Sequence, residues 1–119
     1  MRSQARTGPR NAGLPGDELA VLRAKLLEQR AFRREQLVGI HQRPVAPEHH
    51  GAARAEVRGY LAVAARGVLA DVEAALDRIH TGHYGHCRGC RGPIELPRLR
   101  ICPQTLYCGE CHRLQEVDR

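Results

Sequence analysis

A chain of 119 residues has room for one small unit and an extension, which excludes a large multidomain enzyme. Its residues are 42% apolar but only 3% aromatic, with no tryptophan, so a thick core is also excluded and thin helical packing or a metal staple must compensate. The 19 basic and 13 acidic residues give a net charge of +6, carried by arginine except at Lys25, which suits anionic partners without selecting one.

Residues 1–16 hold Arg2, Arg6 and Arg10, no acid, and five glycines or prolines, a composition that predicts a flexible, disordered basic tail. Arg2, Arg6 and Arg10 follow the first methionine without an apolar run, so the expected protein has neither export signal nor membrane span and works in the cytoplasm. Asp17 and Glu18 then sit where a helix start favours negative charge. Leu19, Leu22, Leu26, Leu37 and Ile40 recur at helical steps and predict a first helix over 17–40, its stripe interrupted by Arg30 and Arg33.

Pro44, Pro47 and Gly51 break helical geometry and predict a tip over 41–51. Val57, Leu61, Ala64, Val68, Val72, Ala75 and Ile79 form a stripe of period 3.6, predicting a second helix over 52–80. The two helices would run about 36 and 43 Å and fold back antiparallel across the short tip. The stripes read as packing and carry no assigned activity.

The pattern changes over residues 81–119. Cys87 and Cys90 form one CxxC pair, seventeen residues intervene, and Cys108 and Cys111 form another, a spacing expected of a four-cysteine zinc finger. Each pair places two thiolates on one turn, and two turns facing each other supply a tetrahedron with Zn–S bonds of about 2.3 Å. Four filled positions leave none for a reacting water, so one structural Zn²⁺ is expected and no catalytic residue. A redox dithiol would need a βαβ context that is missing here, and an iron–sulfur cluster is the rarer occupant of this spacing. Arg88, Arg91, Arg98 and Arg100 are positioned in sequence to offset the negative charge of four thiolates on Zn²⁺. Cys102 reads as a small apolar filler, His80, His83, His86 and His112 as flanking residues, and His49 and His50 as tip residues.

Gly82, Tyr84 and Gly85 before Cys87-x-x-Cys90, then Ile94, Arg98, Leu99 and Pro103 before Cys108-x-x-Cys111, resemble the signature of the DksA/TraR family. The specific match covers about 35 residues, and the helical hairpin is similar to the family's coiled-coil arm in a more general way. The resemblance implies a mainly α fold: a long antiparallel coiled-coil hairpin, a small zinc finger at its base and a short C-terminal helix. It further implies a transcription regulator that docks on bacterial RNA polymerase, its arm entering the secondary channel, without sequence-specific DNA binding; the oligomeric state stays open, with a monomer favoured.

Two departures stand out. Arg91 stands where the family usually has glycine, predicting a reshaped finger turn. Counting back from Cys87 puts Pro44, Pro47 and His49 where well-studied members carry two aspartates and an alanine. Glu48 is the only acid between Glu35 and Glu56. Pro44, Pro47, Glu48 and His49 are therefore the candidate partner-contacting tip, one that does not match an acidic tip in its pull on magnesium-bound groups. The alternative class is a basic zinc ribbon that binds nucleic acid or protein through Arg2, Arg6, Arg10 and the finger arginines. Taking Arg2, Arg6 and Arg10 from the 19 basic residues leaves 16 against 13 acids, so the remainder is only mildly basic. A thiol enzyme would have to use Cys102, beside which the sequence supplies no base.

Overall fold

The computed structural model describes residues 9–42 and 51–117. Helix α1 spans Gly16–Gln42 and helix α2 Gly51–Thr81, packed against each other as a hairpin, followed by the short helices α3 (Leu96–Ile101) and α4 (Gly109–Val117). No strand occurs among the described residues; one isolated antiparallel bridge joins His86 to Pro93. The molecule is elongated, 63 × 33 × 27 Å. Pro44, Pro47, Glu48 and His49 lie outside the described residues, as do Arg2 and Arg6.

The core gathers at the base of the hairpin. Leu22 and Leu26 of α1 and Val72, Ala75 and Ile79 of α2 are buried together with Tyr84, Cys87, Ile94, Leu99 and Cys108 of the finger. Arm base and finger therefore share one apolar cluster. Farther out the seam thins. Ala62 and Ala65 are its buried residues on α2, and Arg33 of α1 keeps its Nε buried without a hydrogen-bond partner among the described residues. An exposed ion pair, Arg34 to Glu73 at 2.8 Å, links the helices partway along, and at such exposure it contributes at most about 1 kcal/mol.

The expected stripe on α2 needs correction in its distal half. Val72, Ala75 and Ile79 are buried as expected, but Val57 and Leu61 are 56% and 48% exposed, Ala64 is exposed, and Ala62 and Ala65 face the seam instead. Ala65, Val72 and Ile79 lie seven residues apart, so the buried line follows a heptad spacing of about 3.5 residues per turn, and Val57, Leu61 and Ala64 fall outside that line.

Residues 9–16, which the sequence placed within the tail, carry a defined turn. Arg10–Gly13 form one tight turn in which Asn11, Ala12 and Gly13 all take positive φ (50°, 57° and 69°). Such left-handed geometry costs a residue with a Cβ about 1–2 kcal/mol. What holds it is a set of contacts some seventy residues away. The Asn11 N–H donates to Gly82 O (2.8 Å), Asn11 Oδ1 accepts from the Tyr84 N–H (3.0 Å), and Arg10 Nη2 donates to His80 O (3.0 Å). Composition could not anticipate this, because the ordering comes from the exposed end of α2.

That helix end is built to receive it. Gly82 follows Thr81 with φ +85°, the His83 N–H reaches Arg78 O (2.8 Å) and the Gly82 N–H reaches Ile79 O (3.2 Å), the paired bonds of a Schellman cap. A Cβ at Gly82 would sit 2.5 Å from Arg10 Nη1. Glycine is needed here for its φ and for the approach of the N-terminal turn.

Candidate metal centre

The first half of the centre is a tight loop after Gly85. The Cys87 N–H donates to Gly92 O (2.7 Å), the Arg91 N–H to Cys87 O (2.9 Å) and the Gly89 N–H to Cys87 Sγ (3.3 Å), which turns both thiols of the first pair to one side. Arg91 itself takes φ +69°. The reshaping expected from the loss of glycine at this position therefore takes the form of local strain: Arg91 adopts the left-handed conformation that glycine reaches at no steric cost.

The second half is the start of α4. Cys108 precedes the helix and Cys111 lies in its first turn, with the Cys111 N–H directed at Cys108 Sγ (3.5 Å). The Glu95 carboxylate accepts from the Gly109 N–H (3.2 Å), so a residue fourteen positions away satisfies a helix-start donor. Its carboxyl is held below the ordinary 4.5, first by its own backbone N–H and then by that of Gly109. The Arg88 N–H to Leu106 O bond (2.8 Å) and the Arg98 Nε to Tyr107 O bond (2.9 Å) tie the halves together. Tyr84 is fully buried beneath them and donates its hydroxyl to Pro103 O (2.7 Å). Burial first, then Cys102, raises its phenol, against a lowering by Arg78, so it stays a neutral donor.

The four sulfurs of Cys87, Cys90, Cys108 and Cys111 all lie within 4.8 Å of one another, with Cys90 and Cys108 Sγ 3.9 Å apart. A tetrahedron of thiolates about 2.3 Å from a zinc-sized ion has edges of about 3.8 Å. The donor set could hold such an ion. Close packing supports the fit: a Cβ at Gly89 would lie 2.9 Å from Cys111 Sγ, so the loop hugs the sulfurs. The thiols also divide their protons unevenly. Burial pushes Cys87 up, but the backbone N–H groups of Cys108, Cys90 and Gly89 and the Cys111 thiol outweigh it and bring it down to about 6. Cys111 is pushed up to about 12, first by its hydrogen bond with Cys87 and then by burial. Four sulfurs this close do not all ionise without a cation among them.

The neighbouring residues sort differently from their sequence positions. Cys102 is half-buried, follows α3 and is outside the four-sulfur cluster. His83 Nδ1 is 3.0 Å from Thr81 Oγ1, His112 is 3.7 Å from Glu116, and among the described residues no histidine joins the sulfurs. Arg100 does not serve the expected charge-offsetting role: its Nη2 pairs with Glu18 of α1 at 2.8 Å, and Lys25 Nζ donates to its carbonyl (3.1 Å), so α3 is fastened to the arm. Arg98 is spent on the Tyr107 carbonyl, while Arg88 and Arg91 are exposed at the loop. Sequence reasoning missed Asn11 and Glu95. The one available signal for Asn11 is its residue type, since asparagine tolerates positive φ.

The whole architecture is similar to a solved structure, that of transcription factor DksA2 from Pseudomonas aeruginosa, with a TM-score of 0.74 and 27% identity over 99% of this chain and 98% of that one. A stretch of 51 residues is 41% identical to an uncharacterized protein of Aquifex aeolicus (strain VF5), covering 43% of this chain and 34% of the relative, so the match spans about a third of the relative's length. No protein-family model matches the chain.

Proposed function

We infer that this chain, which has the DksA fold along its length and a four-cysteine cluster that fits a DksA/TraR finger, is a zinc-binding transcription regulator that docks on bacterial RNA polymerase. It acts in the cytoplasm and is not an enzyme. Cys87, Cys90, Cys108 and Cys111 hold one structural Zn²⁺, whose closed coordination shell leaves no position for a reacting water. The ion fixes the finger at the base, and the base aims the arm. Among the described residues no helix is long and apolar enough to cross a membrane.

The observation that carries docking through the arm is the apolar surface displaced from the seam. Phe32, Val38, Val57, Tyr60 and Val63 are each more than half exposed, Tyr60 by 72%, and all lie on the arm away from its buried base. Such exposure on a narrow hairpin suits entry into a channel of a larger protein. The tip, Pro44, Pro47, Glu48 and His49, meets the partner with little negative charge, so its effect on the catalytic centre differs from that of an acidic tip.

Competition for polymerase against a known secondary-channel factor tests the reading at moderate salt. Displacement of the competitor is expected, and absence of binding overturns it. Transcription in vitro with Pro44→Asp and Pro47→Asp together then probes the tip. Activity altered by the double substitution, with binding unchanged, is the expected outcome.

A further inference from the structure

On the outer arm, one side of the hairpin carries both a projecting aromatic ring and a recess. Phe32 of α1 is more than half exposed, with the Arg33 guanidinium 5.3 Å from its ring centroid. Seven residues farther along the same face of α1, about 10 Å on, a cleft of about 230 Å³ opens between the helices. Gln36, Gly39 and Ile40 of α1 and Arg58 and Leu61 of α2 line it. Gly39 deepens it: beyond its own helix backbone, no atom of the described residues comes within 4 Å of where a Cβ would stand. Val57, one turn from Leu61 and also exposed, extends the apolar surface along α2.

The charges on this side are ordered along the arm. With Gly39 level with Arg58 and Leu61, Phe32 is flanked toward the base by Glu28 of α1 and Asp71 of α2, while Arg54 and Arg58 lie at and beyond the cleft. A projection and a recess on one surface suit a two-fold interface, because there the same patch serves as both partners. Two hairpins laid face to face about an axis midway between Phe32 and Gly39 run antiparallel. Each Phe32 then enters the other copy's cleft as a knob enters a hole. The same rotation brings Glu28 and Asp71 of one copy level with Arg54 and Arg58 of the other, so opposite charges meet at both ends of the contact.

We propose that the chain self-associates through this side of the arm, as an antiparallel two-fold pair in which Phe32 of each copy fills the cleft at Gly39, Ile40 and Leu61 of the other. The contact is two helices wide and about four turns long, so it covers roughly 400 Å² per copy. A standard stable interface covers about 800 Å² per partner, so the pair is weak and reversible. Its consequence for regulation rests on the docking reading: pairing covers apolar surface that the arm offers to polymerase, and the concentration of the chain then sets how many arms are free to dock.

Sedimentation velocity of the full, zinc-loaded chain from about 10 µM to about 1 mM, at physiological salt and without polymerase, tests the pairing separately from docking. Expected is a mass that rises with concentration from 13.2 kDa toward twice that value, with a dissociation constant of about 0.1 mM. Phe32→Gln removes the exposed knob, and Gly39→Gln fills the recess with a residue that favours helix more than glycine does, so the fold is kept in both. Each should weaken association about tenfold or more. Val38→Gln, at an exposed apolar position on another side of α1, should leave it unchanged. A mass of 13.2 kDa across the whole range overturns the proposal, as does an equal loss in Val38→Gln or undiminished pairing in both Phe32→Gln and Gly39→Gln. A chain that stays monomeric while Phe32→Gln weakens its binding to polymerase also overturns it, and assigns this side of the arm to polymerase alone.

Discussion

Replacing Asn11 with alanine removes the side chain on which the junction of turn, arm and finger depends. Two effects add. The Tyr84 N–H, inside a residue with no exposed surface, loses its acceptor at 3.0 Å, and a buried donor left unpaired costs about 1–3 kcal/mol. Alanine must also hold the φ of +50° that asparagine tolerates better, at about 1 kcal/mol. The 3.4 Å contact from Asn11 Nδ2 to Ile79 O is too long to add much. The expected loss is about 2–4 kcal/mol, read from denaturant unfolding of the metal-loaded chain by far-ultraviolet circular dichroism. Asn11→Gly separates the terms: it relieves the backbone but not Tyr84, and should fall about 1 kcal/mol short of the alanine loss. Amide exchange at Tyr84 should accelerate in both. A change below about 0.5 kcal/mol, with Tyr84 exchange unaltered, would refute the idea that the turn is held from α2 rather than resting on it.

Gly89→Ala sets a Cβ 2.9 Å from Cys111 Sγ, so competition with a chromogenic chelator should show zinc affinity reduced about tenfold or more, while helix content in α1 and α2 stays near that of the parent. Arg91→Gly relieves the left-handed φ of +69° and should raise stability by up to about 1 kcal/mol in the same unfolding assay; a loss would show that the Arg91 side chain contributes more than the strain removes. For Glu95 the folded pKa is lowered, so its contribution is present above the ordinary 4.5 and disappears as pH falls through the lower folded value. Glu95→Gln should therefore be less stable than the parent at neutral pH, with the gap closing in that acidic window. A gap that persists unchanged below it would assign the effect to shape instead of charge.

The helical hairpin and the four-sulfur cluster were legible because each rests on local regularity: apolar steps of three and four, and two CxxC pairs at a fixed separation. The phase of the seam was not legible. Leu61 and Ala65 both fit an apolar stripe on α2, and only the packing against α1 decides that Ala65 is buried and Leu61 exposed. Residues 9–16 read as tail because their partners, Ile79, Gly82 and Tyr84, lie about seventy positions away, beyond any window of periodicity or composition. Glu95 was invisible for the same reason, since capping at Gly109 depends on how the finger closes. The Arg91 substitution was visible as a departure, but its consequence, strain rather than a new turn, needed the backbone.

The thin distal seam, with alanines facing it and larger side chains turned outward, divides the arm by how freely its residues can change. Near Leu22, Leu26, Val72 and Tyr84 almost any replacement disturbs the shared cluster and the finger with it. At Val57, Tyr60 or Val63 there is little packing to lose. Selection can rewrite the outer arm for a new partner surface, or for a new effect on the same partner, at small risk to folding. A hairpin built this way can diverge quickly at one end while its other end keeps the fold.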